Sequence, residues 1–253
     1  MSRFFVEKEN IHSDHIVIKG GDVNHIKNVL RLKKGDIIEV CDGAGTDYTV
    51  KIQQLEPSSI YTEIISSEKS NTEPPLNFTL YQGIPKGDKM DMVIQKCVEL
   101  GAAKIVPVIT CRTIVRFESP RDKDKKVLRW RKISLEAAKQ CNRGIIPEIG
   151  YPMQFEEALE HSAGSDLSLI PYEEETSVGI KKYLTGGGIN NRIKNISVFI
   201  GPEGGFEKEE VMKACSMGIK PVSLGPRILR TETAGAAVLS IIMYELGDMG
   251  GKS

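Results

Sequence analysis

From Phe78 onward the chain alternates short apolar runs with segments of helical period, and this alternation restricts its fold more than any other feature. The runs are Phe78 to Ile84, Lys104 to Thr110, Leu167 to Pro171, Ile196 to Gly201 and Lys220 to Gly225. After the first, Asp88 stands where a helix cap belongs, and Met90, Val93, Ile94, Cys97 and Val98 recur at helical spacing until Gly101 stops the pattern. A second helix carries Val127, Trp130, Ile133, Ala137 and Cys141 on one face. Strands that are apolar throughout and separated by helices predict a parallel sheet covered on both faces.

The first 70 or so residues follow a different rule. Ile37 to Cys41 and the alternating Tyr48 to Ile52 flank Asp42-Gly43-Ala44-Gly45, whose glycines suit a hairpin loop. Ile60 to Ile65 adds a strand and Val23 to Leu30 a short helix, enough for a small β-barrel. Ser66 to Pro75 is polar, then proline-stiffened, with no hydrophobic period, and so marks the boundary. Two domains are expected, over residues 1–72 and 73–253. The glycine-rich stretch Tyr183 to Asn191 reads as a surface connection without chemistry.

Several classes lose support. No run approaches the roughly 18 apolar residues of a membrane span, and the N-terminus lacks an apolar signal core, so a cytoplasmic protein is expected. The five cysteines are odd in number and contain no CxxC pair, which argues against a disulfide framework or a cysteine zinc site. The four histidines show no ligand spacing, and no metal is expected. Net charge is uninformative, with 34 basic and 34 acidic residues, but Arg112 to Arg143 holds eleven basic residues against four acidic ones. That stretch is either a solvated helix face or a surface that neutralises phosphates.

In open α/β sheets, ligands bind beyond the carboxyl ends of the strands, where loop backbone and helix N-termini converge. Two loops stand out there. Ile200-Gly201-Pro202-Glu203-Gly204-Gly205-Phe206 has three glycines that let backbone approach a flat ligand, and a proline that fixes its course. It matches neither GxGxxG nor a P-loop, so nucleotide-dependent enzymes of the usual kinds lose support. Leu224-Gly225-Pro226-Arg227-Ile228-Leu229-Arg230-Thr231-Glu232-Thr233-Ala234 gathers two arginines, two threonines and a glutamate before the apolar helix Ala234 to Leu246. Read for structure alone, Thr231 would cap that helix and Glu232 would complement its dipole.

Taken together, GPEGGF some twenty residues before LGPRILRTETA resembles the RsmE-type ribosomal RNA small-subunit methyltransferases of the SPOUT superfamily. Arg3-Phe4-Phe5, His25 with Val29-Leu30-Arg31, Gly87-Asp88-Lys89-Met90 and Ala137 to Arg143 are similar to that family's recurring segments, in the same order. The resemblance implies an α/β fold in which a PUA-like β-barrel precedes a methyltransferase domain with a trefoil knot. It implies an S-adenosylmethionine-dependent enzyme that methylates N3 of a uridine in small-subunit ribosomal RNA, working as a homodimer. Carried over, the cofactor would lie against Leu169, Ile170 and Pro171, against Ile200, Gly201, Pro202, Glu203, Gly204 and Gly205, and against Leu224, Gly225, Ile228 and Leu229.

The proton on uridine N3 calls for a base or for stabilisation of the uracil anion, which nominates Glu232 and Arg230. Arg3, His25, Lys27, Arg31, Lys86, Lys89, Arg112, Arg116 and Arg143 are the candidate RNA contacts. The alternatives are a non-catalytic RNA-binding or ribosome-assembly protein and a knotted enzyme acting on another RNA.

Overall fold

Period-two patterning and a tight Asx turn build the first sheet. In the computed structural model, which describes residues 3–185 and 193–251, Asp42 Oδ1 accepts the backbone N–H groups of Ala44 (2.8 Å) and Thr46 (2.9 Å). That turn joins β3 (Ile37–Cys41) to β4 (Thr46–Leu55). β5 (Ser59–Lys69) continues the meander, β2 (His15–Lys19) pairs with β5, and β1 (Arg3–Phe5) runs parallel to β3. The strand order is β1-β3-β4-β5-β2. Phe4, Ile16, Ile18, Ile26, Val40, Val50, Ile52 and Ile60 fill its core.

Two readings of this region need correction. The helix of Val23 to Leu30 is a short α1 (Gly21–Asn24) followed by a five-residue π-helical turn, His25–Val29. The supposed linker residues Ser66 to Lys69 belong to β5 and pair with Thr46 to Thr49. A ladder is held by backbone hydrogen bonds, so a polar strand end without hydrophobic period still extends a hairpin.

Met1–Glu73 forms one compact unit together with Glu136–Ile146, a piece that the sequence places within the second domain. Its partner is Glu73. That carboxylate accepts Arg143 Nη2 (2.6 Å) and the backbone N–H groups of Gly144 (2.8 Å) and Ile145 (3.0 Å). Lys139 Nζ lies 3.1 Å from Asp22 Oδ1.

The second unit, Pro74–Leu135 with Pro147–Ser253, holds the predicted parallel sheet. Its strands are β6 (Asn77–Gly83), β7 (Lys104–Ile109), β8 (Glu148–Ile149), β9 (Met153–Gln154), β10 (Leu167–Pro171), β11 (Asn195–Ile200) and β12 (Lys220–Val222). Their order is β12-β10-β11-β6-β7-β8, with β9 also on β7, and every pair is parallel. The helices are α2 (Lys89–Glu99), α3 (Pro120–Gln140), α4 (Phe155–His161), α5 (Lys181–Leu184), α6 (Lys208–Ser216) and α7 (Thr231–Glu245). The last residues of α3 fall in the first unit.

Alternate residues of a strand face opposite sides. Tyr81 packs with Phe155 and Leu159 of α4 and with Val211 and Ala214 of α6, whereas Leu80 and Gln82 lie beside Gly235 of α7. Helices therefore cover both faces of the sheet. Of the glycine-rich stretch Tyr183 to Asn191, residues 186–191 lie outside the described residues.

Candidate active site

The carboxyl ends of β10, β11 and β12 open into a cleft of about 920 Å³. Its lining includes Pro171 and Tyr172 at the end of β10, Ile200 to Phe206 at the end of β11, and Ser223 to Glu232 from the end of β12 into the first turn of α7. The sequence's two unusual loops thus meet at one place, because β11 and β12 both neighbour β10.

The loop after β11 folds back on itself. A Cβ on Gly201 would stand 2.9 Å from the carbonyl carbon of Gly205, and one on Gly83 would stand 2.6 Å from Pro202. Only glycine permits backbone to pass this closely. Arg112 fastens the outer side of the loop: Nη1 donates to the Gly204 carbonyl (2.5 Å), and Nε lies 2.8 Å from Glu207 Oε1. That bond to Arg112 holds Glu207 below the ordinary carboxylate range. Arg112 is therefore placed on the glycine loop.

Behind the cleft runs a relay of side chains. Gln82, wholly buried in β6, donates from Nε2 to its neighbour's carbonyl at Gly83 (3.0 Å) and to Thr231 Oγ1 (2.8 Å). Thr231 in turn donates to the Gly201 carbonyl at 2.6 Å. The structural reading of Thr231 as the cap of α7 is thereby overturned. Arg230 occupies the cap position with extended backbone and makes no side-chain cap bond, while Thr231 is the first helical residue and reaches back to the glycine loop.

Glu232 lies in the first turn of α7, where the partial positive charge of the helix end favours an anion. Its side chain is 14% exposed, and its Oε2 atom is buried with no hydrogen-bond partner among the described residues. Buried carboxylate oxygens are normally satisfied, so this atom is available to a ligand. Lys89 Nζ stands 4.0 Å from it and 2.7 Å from Glu203 Oε1. Burial works against ionisation of Glu203, but the Lys89 ammonium and the N–H groups of Glu203 and Lys86 outweigh it and hold that carboxyl below its ordinary value.

The other nominated residues are distributed as follows. Pro171, Ile200 to Gly205, Leu224, Gly225, Ile228, Leu229, Arg230 and Glu232 line the cleft, whereas Leu169 and Ile170 are fully buried in β10 beneath it. Lys89, nominated for RNA, lies in the cleft. In the second unit Lys86 and Arg116 are exposed. In the first unit His25 and Arg31 are exposed, and Lys27 donates to the Glu56 carbonyl at 2.8 Å. Arg3 is bound to Asp47 and to the Asn142 carbonyl, and Arg143 is 4% exposed against Glu73. Tyr172, Glu173, Glu175 and Thr176 also line the cleft and were not anticipated. The available signal was their place directly after a strand at the ligand-binding end of the sheet. Among the described residues, no group of three or more His, Cys, Asp or Glu is placed to hold a metal ion.

A family model for an RNA methyltransferase domain matches residues 72–243, and one for an RNA methyltransferase PUA domain matches residues 18–65. The chain is 33% identical to ribosomal RNA small subunit methyltransferase E of Bacillus subtilis, over 97% of each chain. It superposes with a TM-score of 0.85 on the Neisseria gonorrhoeae ribosomal RNA small subunit methyltransferase E bound to S-adenosyl methionine, at 33% identity over 98% of this chain and 99% of the other. A putative methyltransferase of Legionella pneumophila with bound S-adenosyl methionine is likewise similar, at 32% identity, 98% coverage of both chains and a TM-score of 0.85.

Proposed function

The chain belongs to the ribosomal RNA small subunit methyltransferase E family, and from that premise we propose that it transfers a methyl group from S-adenosylmethionine to N3 of a uridine in small-subunit ribosomal RNA. The observation that carries this reading is the cleft itself, where two glycine-bearing loops meet beside a buried carboxylate oxygen of Glu232 that accepts no hydrogen bond among the described residues.

The residues present fit the cofactor. Its adenosyl group would find an apolar bed in Ile200, Pro202, Leu224, Ile228 and Leu229, with bare backbone at Gly201 and Gly204. Its positive charges would be complemented by Glu203 and Glu232. Bound there, S-adenosylmethionine supplies an electrophilic methyl group, so the protein chiefly has to align the nucleophile and exclude water. Glu232 is suited to take the proton from uridine N3, its free oxygen being held in the cleft by the helix end. Arg230, exposed at the same cap, is suited to offset the charge that the uracil oxygens gain.

The same proposal extends to the assembly. Arg31 of the first unit, with Lys86 and Arg116 of the second, are exposed cations for phosphate contacts, and His25 is an exposed hydrogen-bond donor for the same role. Homodimerisation is supported by apolar side chains left in water on and near α7, with Ile228 at 88% exposure and Tyr244 at 64%. The trefoil knot that the resemblance implies belongs to the same proposal. A cytoplasmic location accords with an RNA substrate, and no described helix is long and apolar enough to cross a membrane.

The deciding experiment is calorimetric titration with S-adenosylmethionine beside a methylation assay on unmodified small-subunit particles, with mass spectrometry of the product nucleoside. Cofactor binding with 3-methyluridine is the expected result. Absence of cofactor binding would leave a non-catalytic RNA-binding module, and a different methylated nucleoside would overturn the substrate.

A further inference from the structure

The π-helical turn His25–Val29 joins two features that packing does not explain. Such turns are rare and persist where surrounding structure fixes them. Here Leu30 N–H donates to the His25 carbonyl at 2.9 Å, Leu32 N–H to the Ile26 carbonyl at 3.0 Å, and Ile26 is fully buried in the core of the first unit. Arg31 follows in the left-handed region, at φ 55°, without the glycine that would make this conformation free. The anchored, strained turn turns Val29 and Leu30 outward, at 62% and 36% exposure.

Cations outnumber carboxylates along this apolar tip, where Asp36 Oδ2 accepts the Lys33 N–H at 2.7 Å and Lys27 is turned to the Glu56 carbonyl. Met1 to Glu73 contains nine basic and twelve acidic residues, yet Lys27, Arg31, Lys33 and Lys34 fall between His25 and Gly35, where there is no carboxylate. This net-acidic segment thus concentrates four of its nine cations on eleven residues that also display two bare aliphatic side chains. A second copy of this chain would set these cations against themselves, at an electrostatic cost. Single-stranded RNA offers what the tip lacks: phosphates for the cations and flat apolar base faces for the aliphatic pair.

We infer that Val29 and Leu30 form an apolar wedge that seats against an unpaired base of the RNA substrate, with Arg31, Lys33 and Lys34 on the flanking phosphates. This rests on the proposed RNA methyltransferase reading and assigns it a contact surface in the first unit.

The test is the V29S/L30S double variant, compared with K33Q/K34Q and the parent protein in methylation of small-subunit particles and in direct binding of small-subunit ribosomal RNA at several salt concentrations. V29S/L30S should raise KM for particles and Kd for RNA about tenfold, with the salt dependence and the affinity for S-adenosylmethionine unchanged. K33Q/K34Q should instead flatten the salt dependence by about 1.4 to 1.8 logarithmic units per logarithmic unit of salt, because two cation–phosphate contacts are lost. Unchanged RNA affinity in V29S/L30S overturns the wedge, as does a change in sedimentation without a change in RNA binding. Failure of the parent protein to methylate any particle overturns the enzymatic reading instead, and the RNA-binding comparison then still judges the wedge.

Discussion

In the proposed reaction a single buried oxygen takes the proton. Glu232 Oε2 has no hydrogen-bond partner within the described residues and faces Lys89 at 4.0 Å. As a proton acceptor it should be replaceable in shape but not in function. Glu232→Gln is expected to lose at least a hundredfold in turnover, within the usual range for a general base, while calorimetry finds S-adenosylmethionine affinity within a few-fold of the parent; full turnover in the variant would remove Glu232 from the chemistry. Glu203 offers a pH test. Its folded value lies below the ordinary 4.5, so its ionised form stabilises the fold above that value, and the contribution fades as pH falls through the lowered folded value. The gap in melting temperature between the parent and Glu203→Gln should therefore be constant from pH 6 to 8 and narrow below about pH 4.5 in thermal scans. Cys41 and Cys97, whose thiols burial pushes up to about 12, should resist iodoacetamide at pH 8 in the native protein and react once it is unfolded.

At the scale of elements, β6 does more than pair in the middle of the sheet. Through Gln82 and Thr231 it fixes the start of α7 to the carbonyl of Gly201, so one hydrogen-bonded path determines where the glycine loop and Glu232 stand. Thr231→Val and Gln82→Leu should each weaken S-adenosylmethionine binding about tenfold, and the double variant should be little worse than either single one, since both cut one relay. Thr231→Ser, which keeps the hydroxyl, should restore affinity. Additive losses measured by calorimetry would show two independent effects in place of a relay. None of this was legible in the alternation of strands and helices, which fixes what each element is but not which buried polar groups meet.

For the whole molecule, the longest-range decision is the return of Glu136–Ile146 to the first unit. Glu73 satisfies Arg143 and two backbone N–H groups at once, and both side chains are largely buried, at 16% and 5% exposure. Glu73→Gln should destabilise this unit by roughly 3–5 kcal/mol, the cost of leaving a buried charge unpaired, read as an earlier transition in urea; an unchanged transition would mean that solvent replaces the carboxylate. Arg143 and Arg3 read as phosphate contacts in the sequence, because an isolated arginine gives no sign of its partner; Glu73 and Asp47 lie 70 and 44 residues away along the chain. The sequence by itself determined the alternation that makes a parallel sheet, the hairpin ahead of it, and the two glycine-bearing loops at its carboxyl end. Those signals are local, written in the period of apolar residues and in backbone freedom at glycine. Only tertiary structure decided that the loops share one cleft, that Thr231 ties them together, that Lys89 faces carboxylates in the cleft while Arg112 pairs with Glu207 on the outer side of the glycine loop, and that Val29 and Leu30 stay in water. Each of those outcomes depends on contacts between residues distant in the chain, and such contacts leave no period or motif to be read.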